Sequence, residues 1–273
     1  SYVRTELLGN WSAFTGRIFV IADSDGGDFR YQGTAGYPGA HLDLGANVYA
    51  YHNKSMTGNL TIPIGHLTGN SLASLSGGPT TGRTLTYQIG ARNEDGEYAG
   101  ELGNGAGPTA LTKVGTGSLT LSGACTHSGA TNVSAGRLRV LGTSTASAVT
   151  VQPGGTLGGT GAITGNVTVQ ANAGLELNAT PLTITGDLTF SGNAVIRPAA
   201  GFSPGVGTHT LLTYTGTLSG APTLTWEAPP GSLLVASFDT ATAGQITMTL
   251  VEPPRSPGPI IWTGSNNLDW DSV

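Results

Sequence analysis

Four groups of side chains in this chain have the types and spacing to do chemistry. Asp23, Asp25 and Asp28 put three carboxylates within six residues of a glycine-containing turn, ADSDGGDF. A hard cation such as Ca²⁺ takes several oxygens at about 2.3–2.6 Å from a loop of this kind, so these three are the candidate metal ligands. The full EF-hand spacing and its closing Glu are absent, and a solvated turn accounts for the same residues. His41, Asp43, Tyr49 and Tyr51 lie in AHLDLGANVYAYHN, where strand parity turns them outward. Aromatic rings on a flat β face can stack on sugar rings, which makes this set the candidate ligand-binding residues. Covering a neighbouring loop is the commoner use of such tyrosines.

Two further groups are weaker. NEDGE at 93–97 supplies paired carboxylates, which glycoside hydrolysis needs about 5–10 Å apart across a groove. Within one exposed turn they usually form a solvated corner. Cys125 and His127 share parity and would suit a thiol–imidazole pair, but no third orienting group is in view, and a small buried cysteine is common. The motifs HExxH, Walker-type Gly-Lys, Gly-x-Ser-x-Gly and paired CxxC are all missing. With two lysines and arginines spread along the chain, the basic constellation expected of a polysaccharide lyase is not visible. No catalytic residue is nominated and no cofactor is expected.

The elements that must position these groups are strands. Short Val/Ile/Leu/Thr runs recur every 15 to 20 or so residues between Leu111 and Leu177, separated by Gly, Asn, Ser and Pro-Gly. The tetrapeptide VTVQ occurs at Val149–Gln152 and again 18 residues later at Val167–Gln170. A period of about 20 residues built from strands and turns is that of a β-solenoid, in which each coil stacks on the next. Only 10% of residues are charged and 44 are glycine, against about 25% charged and about 7% glycine in an ordinary domain. Disorder would share that composition, but not the regular β-branched spacing. A net charge of −5 with no basic stripe excludes a nucleic-acid partner. Every apolar run falls far short of the roughly 20 residues of a membrane helix. Cys125 is the only cysteine, so no intrachain disulfide can form.

Taken in order, residues 1–200 are expected to form an all-β parallel β-helix, with Leu42, Leu44, Val48 and Ala50 inward and a bend at Pro63. Some 12 to 14 coils would give a rod on the order of 60 Å. Residues 201–251 carry longer, more aromatic strands and are expected to form a C-terminal β cap, as final coils or hairpins. Trp226, Trp262 and Trp270 fall in the cap and tail, where covering an apolar end suits them. Residues 252–273 begin as a proline-rich linker and continue as the start of a further module. The opening SYVRTELLGNW has no signal-peptide pattern, so a longer precursor is expected.

The segment ALTKVGTGSLTLSGACTHSGATNVSAGRLRVLG closely resembles the autotransporter passenger-associated strand repeat. Leu111, Thr112, Lys113, Gly115, Gly117, Leu119, Leu121, Gly123, Gly129, Thr131, Val133, Gly136 and Leu138 carry the match. Cys125 stands where the repeat commonly has Asn, and His127 where it has Tyr. The resemblance is firm over roughly 85–200 and looser elsewhere. It implies a right-handed parallel β-helix in a large exported or cell-surface bacterial protein. The repeat itself carries no catalytic residues to transfer. The expected function is a non-catalytic stalk or adhesin, extracellular or on the cell surface, with a polysaccharide-binding or polysaccharide-degrading module as the alternative. The expected partners are a polysaccharide or cell-surface glycan, or a second copy meeting it through the uncharged, Thr-rich face.

Overall fold

A computed structural model describes residues 3–254. Among them there is no helix, so none that could cross a membrane, which says nothing of a β-barrel. The chain winds as a parallel solenoid with three faces, here A, B and C. Face A stacks ten parallel strands, from Val3–Leu7 through Gly27–Tyr31 and Val48–His52 to Gly207–Tyr214. The second sheet bends into the other two faces. Face B runs from Arg17–Val20 through Gly96–Tyr98, Ser118–Leu121 and Gly136–Val140 to Leu224–Trp226. Face C runs from the first half of Leu60–Gly69 through Leu85–Ile89, Ala148–Val151 and Asn166–Val169 to Leu218–Ser219.

Ten coils at about 4.8 Å give a stack of about 43 Å, shorter than the expected rod. The excess arose because three short strands make one later coil, so strand runs outnumber coils. The bend expected at Pro63 falls slightly later. Pro63 lies within Leu60–Gly69 and pairs with Gln88. The strand changes partner further on, where Gly69 pairs with Tyr98 on face B. Gly65 stands between, where a Cβ would strike the Pro38 and Ala40 carbonyls.

Alternation decides what is inside. Leu42, Leu44, Val48 and Ala50 are buried, as strand parity requires. From coil to coil the same kinds of side chain fall in register: Leu119, Leu138, Leu157, Leu175 and Ile196 form one buried column behind face B. Val133, Val151, Val169 and Phe190 form another behind face C. Full burial of such a side chain is worth about 1.5–3 kcal/mol. Lys113 interrupts that second column between Ile89 and Val133. Its ammonium donates to the carbonyls of Val114 (2.6 Å), Gly115 (2.9 Å) and Ala135 (3.2 Å). Burial pushes it down to about 8, and Asp95 opposes the shift.

At the corner leading from face B to face A, glycines stack on one another. A Cβ on Gly123 would come closer than 3.0 Å to the Ala99 carbonyl oxygen, one on Gly142 to that of Gly123, and one on Gly161 to that of Gly142. This backbone-on-backbone approach accounts for glycine at that corner in successive coils.

Beyond the last coil the pairing changes sense. Gln245–Val251 pairs antiparallel with Gly207–Tyr214, and Val235–Asp239 pairs antiparallel with Gln245–Val251. Ile246, Met248 and Leu250 are buried there. Residues 255–273, with Trp262, Trp270 and most of the expected linker and further module, lie outside the described residues.

Because the backbone of each coil pairs only with that of its neighbours, a whole coil should be removable. Deleting residues 143–161 puts Ala162 and Ile163 where Thr143 and Ser144 had been, in the same register. The shortened chain should keep its β-sheet circular dichroism and unfold cooperatively at a somewhat lower urea concentration. An unfolded product would contradict the coil-by-coil account.

Candidate binding face

The four expected ligand-binding residues divide between two faces. His41 and Asp43 lie on the Tyr37–Leu44 strand of face B, whereas Tyr49 and Tyr51 lie on Val48–His52 of face A. Between them, Gly45 to Asn47 turns the chain, with Asn47 in the left-handed region at φ 60°. The four residues therefore do not form one patch.

On face A, Tyr49 and Tyr51 pack with ring centroids 4.9 Å apart, and Tyr49 is 42% exposed. Below them sits Asp28. The Tyr51 hydroxyl donates to its Oδ2 at 3.3 Å, Arg30 at 2.6 Å and Arg4 at 3.4 Å. Arg30 also lies over the Tyr51 ring at 5.3 Å. Asp28 belongs to the buried strand Gly27–Tyr31, while Asp23 and Asp25 lie in the turn before it, where the Asp25 amide donates to Asp23 Oδ1 at 3.0 Å. Among the described residues no group of three or more His, Cys, Asp or Glu is arranged to hold a metal ion.

On face B, Asp43 accepts from Arg17. Burial raises the Asp43 carboxyl, but bonds from Arg17 and Thr68 outweigh it and hold the group below the usual carboxylate range. His41 bonds Thr68 Oγ1 through Nε2 at 2.7 Å and meets His66 edge-on, centroids 4.3 Å apart. Burial lowers both imidazoles, and for His41 the neighbouring His66 adds to it. Glu94 stands 3.6 Å from His66 Nδ1 and accepts from Arg92 at 2.7 Å.

That cluster is the start of a longer feature that strand-by-strand reading missed. The outward positions of face B carry charge from coil to coil. Asp95 and Glu97 precede the hydroxyls of Ser118 and Thr120, and Arg137 and Arg139 follow them in register. Glu176 comes two coils beyond Arg139, followed by Arg197 and then Glu227, 2.9 Å from the Arg197 Nε. Glu176 is only 2% exposed and accepts from Arg139 at 3.0 Å, with Arg137 at 3.9 Å. It reaches back because Gly158 lies between. A Cβ at Gly158 would clash with the Glu176 side chain. The available signal was parity combined with coil period, since Arg137 and Arg139 alternate outward on one strand. Between the acidic pair and the arginines lies an open groove of about 440 Å³.

Cys125 and His127 both point into the core. Burial pushes the thiol up to about 12 and the imidazole down to about 4. His127 Nε2 bonds Thr131 Oγ1 at 2.9 Å. A nucleophilic pair needs a thiolate, so the arrangement is a packed core site. A thiol reagent should leave native Cys125 unmodified and label it fully once urea unfolds the chain. Rapid labelling of the native protein would contradict this burial.

The fold and this face define a three-sided parallel β-helix whose interior is mostly apolar and whose charge is gathered largely on one side. Residues 111–140 match the Passenger-associated-transport-repeat family. The chain is a parallel β-helix that carries this passenger repeat within it. It is also similar to the adhesin BmaC autotransporter of Brucella suis biovar 1 (strain 1330), 30% identical over 278 residues. That similarity covers 90% of this chain and 8% of the adhesin's length.

Proposed function

We propose that this chain is a segment of the passenger of an exported bacterial surface protein, where it acts as a rigid stalk and adhesive surface. The observation that carries the reading is the unbroken parallel stack of ten face-A strands. Each coil satisfies the backbone groups of the next, so length is gained without a separate core for each unit. Similarity to a protein named as an adhesin supports the adhesive part, and the passenger repeat supports export. Antibody against this segment should label intact cells that produce the full-length protein. Labelling only after lysis would overturn the surface placement. In-frame removal of the segment should lower attachment of those cells to host-cell surfaces, and undiminished attachment at equal surface abundance would overturn the adhesive role.

A further inference from the structure

The groove on face B has walls of opposite charge that do not neutralise each other. Asp95 and Glu97 stand one coil before its floor and Arg137 and Arg139 one coil after, so the two walls rise from strands about 10 Å apart. Each wall is turned to partners of its own. Asp95 accepts from the Ser118 amide at 2.7 Å and Glu97 from the Ser122 hydroxyl at 2.6 Å. The two guanidiniums share the single buried carboxylate of Glu176 on their far side, which leaves that wall with surplus positive charge. The floor is Ser118 and Thr120. The Ser118 hydroxyl is closed off from solvent, so Thr120 presents the floor's polar group to the groove.

We propose that this groove binds an acidic oligosaccharide, with its carboxylate on Arg137 and Arg139 and its ring hydroxyls on Asp95, Glu97 and Thr120. A planar guanidinium matches a carboxylate in two parallel hydrogen bonds. The acidic wall accepts from sugar hydroxyls, and the threonine hydroxyl both donates and accepts. The volume of about 440 Å³ lies within the roughly 300–1,000 Å³ of small-ligand sites. A neutral sugar would lack the anchor, and a bare anion would leave the acidic wall and floor unmatched. Uronates and sialates share this chemistry.

The inference takes its setting from the adhesive reading but is tested on the isolated chain. Amide NMR titrations with tri-galacturonate, with sialyllactose and with neutral lactose read it directly. Saturable shifts at Ser118, Thr120 and Arg137 with at least one of the acids, and none with lactose, are expected. Which acid binds identifies the source. Thr120→Tyr fills the groove while keeping Arg137, Arg139 and Glu176 in the chain, and should abolish binding with the unfolding midpoint unchanged. Arg137→Gln should weaken binding about tenfold, as loss of a charge-assisted pair does. Thr150→Tyr, outward on face C, should leave it intact. No saturable shift with either acid, equal binding of lactose, or full binding by the Thr120→Tyr protein would overturn the proposal. Because attachment and surface labelling are measured on cells, failure of the adhesive reading leaves these titrations standing, and the reverse also holds.

Discussion

Gly142→Ala should destabilise the folded chain by at least about 3 kcal/mol, the range of severe overpacking. The backbone conformation is not the obstacle, since Gly142 is outside the left-handed region. What fails is space. The new methyl would sit closer than 3.0 Å to the Gly123 carbonyl oxygen of the preceding coil, and backbone cannot yield there without parting the stack. Gly154 provides the comparison. It is left-handed at φ 87°, but a Cβ there meets nothing within 4 Å, so Gly154→Ala should cost only the conformational strain, about 1–2 kcal/mol. Urea unfolding of the two variants beside the parent checks both values. Equal losses would mean that coils do not approach as closely at this corner as the stacked glycines require.

Acid should weaken the chain well before its carboxylates are fully protonated. His127 is fully buried, and burial holds its imidazole down to about 4, against 6.5 for an ordinary histidine. Between those values the unfolded chain binds a proton that the folded chain refuses. The contribution is therefore complete above about pH 6.5 and is lost as pH falls toward about 4. At about 1.4 kcal/mol per pH unit, the drop from about pH 7 to about pH 4.5 comes to roughly 2 kcal/mol for this residue alone. His41, His52 and His66 are lowered in the same direction by burial and should add to it. The passenger repeat commonly has Tyr at the His127 position, so an aromatic ring should be accommodated. His127→Phe should shrink the drop by about 2 kcal/mol, whatever it does to stability at neutral pH. Urea titrations of parent and variant at the two pH values measure this, and an unchanged drop would contradict the burial of the imidazole.

Much of the interior could be read from the chain because parity and coil period are local properties. Leu42, Leu44, Val48 and Ala50 alternate with outward residues within a few positions, and VTVQ repeats one coil apart on face C, where Val149 pairs with Val167. What crosses corners was harder. His41 and Tyr49 share outward parity, but the turn at Asn47 carries them to different faces, and parity says nothing about which face a strand joins. Asp28 looked like part of a turn, yet the strand begins at Gly27 and takes Asp28 to Arg30. The ion pair of Arg139 with Glu176 joins residues 37 apart across two coils. Glycine at position 158 makes that reach possible, and no short-range pattern shows it.

The central claim is that amides bond from each coil to the next, so that sequence-distant strands lie parallel and in register. Amide-resolved NMR tests this directly through cross-strand nuclear Overhauser contacts. Contacts linking Val149 with Val167 and Val167 with Leu188, in parallel geometry, are the expected result. Antiparallel Hα–Hα contacts joining sequence-adjacent strands throughout residues 85–200 would contradict it, and the stalk and its charged face would go with it.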